Sequence, residues 1–102
     1  MHPRGSGDLP SPRTTLRVPE HVLMRRIGDE MVMLNLDSEG YYGLNEVGAR
    51  LMQLVETGAT LEQIIEQLSC EFEVEREQLE QDVRALAADL IAAGLLVASA
   101  SE

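Results

Sequence analysis

The chain has 102 residues, a net charge of −10, one cysteine and three aromatic residues. That length allows one domain with a small core, the lone Cys70 excludes an internal disulfide or a Cys-x-x-Cys metal or redox pair, and no run approaches the roughly 18 apolar residues of a membrane span. Residues 1–28 carry five Arg against two acids, whereas residues 29–102 carry three Arg against sixteen acids, so the body is strongly acidic. Such a surface repels nucleic acid, whose binding rests on neutralised phosphates, and suits a neutral or basic partner.

All four prolines (Pro3, Pro10, Pro12 and Pro19) fall in the first nineteen residues, interleaved with Gly and Ser. This composition predicts a flexible basic arm over 1–19, ending in an extended stretch at Thr14 to Val18. No apolar block follows its arginines, so no secretory signal is read and a cytoplasmic location is expected. The domain proper is expected over 20–98, with a frayed tail at 99–102.

His21 to Ile27 and Glu30 to Leu36 are rich in Val, Ile, Leu and Met and are separated by Gly28-Asp29, which predicts a hairpin. In the second strand Val32, Leu34 and Leu36 share one face, and Met31, Met33 and Asn35 the other. Asp37-Ser38-Glu39-Gly40 has the composition of a turn, Asp at its start and Gly at its end. A short third strand, Tyr41 to Leu44, follows and ends at Asn45, a good N-cap for a helix with the stripe Val47, Leu51, Leu54 and Val55 that Gly58 stops. Thr60 and Gln63 form a capping-box pattern before a second helix through Leu61, Ile64, Ile65 and Leu68. A third helix is expected over about Glu75 to Ala93, with Leu79, Val83, Leu86 and Leu90 on one side and Gly94 at its end. Leu95-Leu96-Val97 then reads as an apolar anchor. The order predicts an α+β fold: a three-stranded antiparallel sheet followed by three helices, the element order of a winged helix.

The motifs that suggest chemistry are weak. Asp37-Ser38 resembles a carrier-protein attachment site, but that chemistry needs its serine at the start of a helix, and here it lies in a turn. A winged-helix DNA-binding regulator needs a cationic recognition helix; the third helix region carries Glu75, Glu77, Glu80, Asp82 and Asp89 against Arg76 and Arg84. No Ser, Thr or Cys comes with a plausible histidine base, so no catalytic residue is assigned. His2 and His21 read as solvated, and Cys70 as a partly buried residue between two helices. No metal site or cofactor is expected. What the pattern does offer is a sheet edge: a row of unpaired N–H and C=O groups on the third strand, able to accept an extended peptide.

From Glu30 to Val97, the run L-N-L-D-x-x-G-Y-Y-x-L-N-x-x-G, the segment T-L-E-Q-I-I, the pair Asp82-Val83 and the closing G-L-L resemble the PqqD-like family, also called RiPP recognition elements. The resemblance implies a winged-helix-like, non-catalytic domain that binds the leader region of a ribosomally synthesised precursor peptide against its third strand and third helix. A freestanding domain of this size is similar to the recognition subunit of lasso-peptide biosynthesis, which implies a separate cysteine-protease-like leader peptidase and a macrolactam synthetase as partners, with neither nucleic acid nor membrane. The alternative is a peptide chaperone of pyrroloquinoline quinone or another RiPP pathway. One departure is Met52, where relatives often carry Trp.

Carried onto this chain, the family's peptide-binding strand falls on Tyr41, Tyr42, Gly43 and Leu44. Its binding helix falls on the segment holding Asp82, Val83, Ala85, Leu86, Asp89 and Leu90. Alternation puts Leu44 and Tyr42 on the core side and Tyr41 outward. The helix leaves two candidate flanks, one with Asp82, Ala85 and Asp89 and the other with Ala87 and Ile91, between which the sequence does not choose.

Overall fold

The computed structural model describes residues 13–99; residues 1–12 of the expected arm and residues 100–102 of the expected tail lie outside them. The elements run β1 (Thr15–Arg17), β2 (Val22–Ile27), β3 (Glu30–Asn35), β4 (Tyr41–Leu44), α1 (Glu46–Val55), α2 (Leu61–Glu71), α3 (Arg76–Ala92) and β5 (Val97–Ser99). β2, β3 and β4 form an antiparallel meander in that order, and β1 pairs with β5 in a separate two-stranded sheet. The three-stranded sheet followed by three helices is the expected α+β, winged-helix-like arrangement.

Alternation along the strands decides which sheet face is covered. Met31, Met33 and Asn35 on β3, with Leu44 on β4, are buried beneath the helices, and Tyr42 is half-buried against them. The opposite face carries Leu23 and Ile27, both more than half exposed, with Val32, Leu34 and Tyr41. Helix starts follow local chemistry. Asn45 Oδ1 accepts the Gly48 N–H at 3.0 Å, and Thr60 and Gln63 form both bonds of the capping box. Each places a side-chain partner on backbone donors that the first helical turn leaves unmet. Gly58 and Gly94 take positive φ at the ends of α1 and α3.

The extended stretch expected at Thr14 to Val18 is tied into the body. Thr15 pairs with Ser99, the Thr14 carbonyl accepts the Leu61 N–H at 2.8 Å, and Leu16 is buried with Leu95 and Leu96. Three expectations are corrected. Cys70 is exposed, because the packed face of α2 is taken by Leu61, Ile64, Ile65 and Leu68. His21 is only partly solvated: its Nε2 lies 3.1 Å from the Gly94 carbonyl, which can only accept, so in this contact that nitrogen is the donor. The turn before β4 is organised by Asn35 rather than Asp37. Asn35 Oδ1 accepts the N–H groups of Asp37 and Ser38 at 2.9 and 3.3 Å, and Glu39, not Gly40, takes the left-handed φ of 65°.

Away from the sheet, Arg50 on α1 grips Glu71 at the end of α2 through Nε and Nη2, both at 2.8 Å. That paired hydrogen bonding, helped by Gln67, lowers the Glu71 carboxyl to about 2. Among the described residues no helix is long and apolar enough to cross a membrane, and no group of three or more His, Cys, Asp or Glu is arranged to hold a metal ion.

Candidate functional site: an open strand edge facing a helix

β4 stands at the end of its sheet, so among the described residues one side of its backbone has no strand beside it. Which groups it leaves open follows from the ladder. The Asn35 N–H bonds to the Gly40 carbonyl at 2.8 Å, and in an antiparallel pair bonded and non-bonded partners alternate. Met33 with Tyr42, and Met31 with Leu44, are therefore the bonded pairs, while Leu34 with Tyr41 and Val32 with Gly43 are not. The N–H and C=O of Tyr41 and Gly43 consequently point to the free edge. These four groups can form a ladder with an added strand without disturbing the β3–β4 pairing.

The second wall is α3. A cleft of about 290 Å³ runs between the start of α1 and α3, lined by Asn45, Val47, Gly48, Leu51, Val74, Leu79, Asp82, Val83 and Leu86. Its lining is mainly apolar, and Asp82 is its only charged residue. Leu86 is half-buried, with one side on the core and the other toward this cleft.

Two residues hold the walls in register. Asn35, buried at the end of β3, organises the turn into β4 with its Oδ1, and its Nδ2 donates to the Ala93 carbonyl at 3.1 Å. One amide thus ties the entry to β4 to the end of α3. Gly48 allows the close approach at the other end: a β-carbon there would stand 3.1 Å from Leu44 Cβ and 3.4 Å from Leu86 Cδ2. Glycine inside a helix costs about 1 kcal/mol relative to alanine. That cost is the signal that could have singled out Gly48 from sequence; the link from Asn35 to Ala93 spans 58 residues and leaves no local trace.

Of the ten residues named from sequence, the structure gathers most but in unequal roles. Tyr41, 77 % exposed, and Gly43, exposed, are on the edge; Tyr42 is half-buried behind it and Leu44 is fully core. Asp82, Ala85 and Asp89 are exposed on one flank of α3, with Leu86 beside them. Val83 forms part of the cleft floor, while Leu90 is completely buried and presents no surface. On the alternative flank Ala87 is completely buried, taking the core position that the periodicity gave to Leu86, while Ile91 is half-buried. Val47, Leu51 and Val74 complete the cleft and were not singled out.

An open strand edge that runs into an apolar cleft between two helices, on a sheet covered on one face, defines a small winged-helix-like recognition domain. Residues 30–96 match the family model of coenzyme PQQ synthesis protein D (PqqD), and the chain belongs to that PqqD-like family of recognition elements. Two solved structures are similar to it. "TbiB1 in Complex with the TbiA(beta) Leader Peptide" is 33% identical with a TM-score of 0.75, the match covering 83% of this chain and 99% of that one. "Lasso peptide synthetase B1 complexed with the leader peptide" is 28% identical with a TM-score of 0.73, covering 80% of this chain and 96% of that one. No curated protein matches the chain in sequence.

Proposed function

We propose that this protein is a non-catalytic recognition subunit of lasso-peptide biosynthesis. It binds the leader of a ribosomally made precursor as a strand beside β4 and presents the precursor to a separate leader peptidase and a macrolactam synthetase. The observation that carries this reading is the open ladder of Tyr41 and Gly43 beside the apolar cleft, in a chain that matches TbiB1, a protein whose structure holds a leader peptide, over nearly its whole length. Electrostatics oppose a DNA-reading role. Arg76 and Arg84, the cations of α3, face Glu66 at 2.6 Å and Glu80 at 3.9 Å.

Strand pairing alone gives little affinity. Four ladder hydrogen bonds at about 1 kcal/mol net each are largely offset by about 2–5 kcal/mol for ordering a disordered leader. Apolar side chains buried in the cleft, at about 1.5–3 kcal/mol each, decide affinity and specificity. Asp82 and Asp89, exposed beside Leu86, suit a basic leader residue. The test is titration with a synthetic leader encoded by the neighbouring precursor gene. Binding at micromolar affinity or tighter is expected, and flat titrations with every leader of that gene cluster contradict the proposal.

A further inference from the structure

The outer face of the sheet is built from rows of directly opposed residues. One row, Leu23–Leu34–Tyr41, runs from edge to edge with a side chain on every strand. The next, Arg25–Val32–Gly43, stops one strand short, because Gly43 has no side chain. Neither conformation nor crowding demands glycine there. Gly43 is not among the residues at positive φ, and a β-carbon on it would meet nothing within 4 Å. A glycine inside a strand weakens it and often marks a place where another chain comes close. Here it leaves a bare position, a notch in the edge, on the sheet face that also carries Val32 and the exposed Tyr41.

We propose that this notch is a second anchor subsite of the bound peptide, taking a large apolar side chain from the peptide residue opposite Gly43. The proposal rests on the reading of β4 as the peptide-binding edge. An added strand keeps the alternation of the sheet, so the residue opposite Gly43 projects on the outer face, away from the α3 cleft. That residue lies about two strand spacings, roughly 10 Å, from Val32. An aromatic or long aliphatic side chain laid across the bare glycine closes this gap onto Val32, as a large neighbour does for an edge glycine in any sheet. The peptide is then read on both faces, by the cleft beneath and the notch above.

The experiment titrates a synthetic leader from the adjacent precursor gene, and an alanine scan of that leader, against the wild type and Gly43→Val. Valine suits a strand and has open space at its β-carbon, so the variant should keep its circular dichroism and melting temperature. It should weaken the leader about tenfold, the low end of the loss expected when one large apolar side chain is denied part of its burial. One large apolar leader residue should lose a similar factor on truncation against the wild type and nothing further against Gly43→Val. Val32→Thr, which leaves the edge untouched, should lower affinity for the intact leader and not for that truncated one. Wild-type affinity in Gly43→Val, or two losses that simply multiply, overturns the subsite while leaving the peptide-binding edge standing. A wild type that binds no leader removes both.

Discussion

The three-stranded sheet has two edges, β2 and β4, and they differ in everything but their open backbone. On β2 the Leu36 N–H bonds to the His21 carbonyl at 2.8 Å, which by the same alternation turns the N–H and C=O of Met24 and Arg26 outward. β2 is the longer edge, six residues against four, and on hydrogen-bond supply alone it is the better template. It carries Arg25 and Arg26, however, and the hollow beside it is lined only by sheet residues: Leu23, Met24, Arg25, Ile27, Val32 and Leu34. β4 bears no charge and leads directly into Asn45, at the mouth of the apolar cleft between the start of α1 and α3. An open ladder is thus a liability that charge can guard on one strand, and on β4, beside an apolar cleft, it is the binding edge we propose.

The largest expected effect breaks the wall of that cleft. Leu86→Glu places a carboxylate where an apolar anchor should pack, and leader affinity should fall by about 30–100-fold, the equivalent of one fully buried side chain. Leu86 is only half-buried, so circular dichroism should still report a folded protein.

A proline pair addresses the two edges directly. Gly43→Pro removes a donor that points away from β3, so the sheet should survive while leader affinity drops about tenfold from the lost bond and the strained strand. Arg26→Pro makes the same change on the other edge and should leave leader affinity unchanged. Equal losses in the two variants would contradict the assignment of β4.

Charge comes next in size. Asp82→Asn with Asp89→Asn should weaken a leader carrying a basic residue a few-fold at low salt and hardly at all at high salt, as exposed ion pairs do. Calorimetry at two salt concentrations checks this.

The smallest effect is expected far from either edge. Glu71 is lowered from an ordinary carboxyl value to about 2 by Arg50, so its contribution to stability is present above the unfolded value and is lost as pH falls through about 2. Glu71→Gln should lower the melting temperature by a few degrees at most near neutral pH, converge with the wild type toward pH 2, and leave leader binding unaltered. Thermal melts across that range test it.

Much of this arrangement is legible in the sequence because it is written locally. The outward Tyr41 and inward Tyr42 and Leu44 follow from period-two alternation, and Asn45 and Thr60 announce helix starts through side chains that meet nearby N–H groups. What escaped depends on distant partners. β1 and β5 are three residues each and pair across most of the chain length, so neither carries a pattern of its own. Asn35 looks like an ordinary polar strand end until Ala93 is placed beside it. On α3 the apolar spacing points to Leu86 as the core residue, whereas Ala87, one position on, is the buried one. Small Ala87 fits where the helix meets its neighbours, and Leu86 is turned toward the cleft.

Amide hydrogen exchange with and without a saturating synthetic leader tests the central claim most directly. Among the described residues the N–H groups of Tyr41 and Gly43 have no partner strand, so both should exchange fast alone and become protected on binding, while those of Met24 and Arg26 keep exchanging. A leader that binds tightly while Tyr41 and Gly43 stay unprotected would contradict the account.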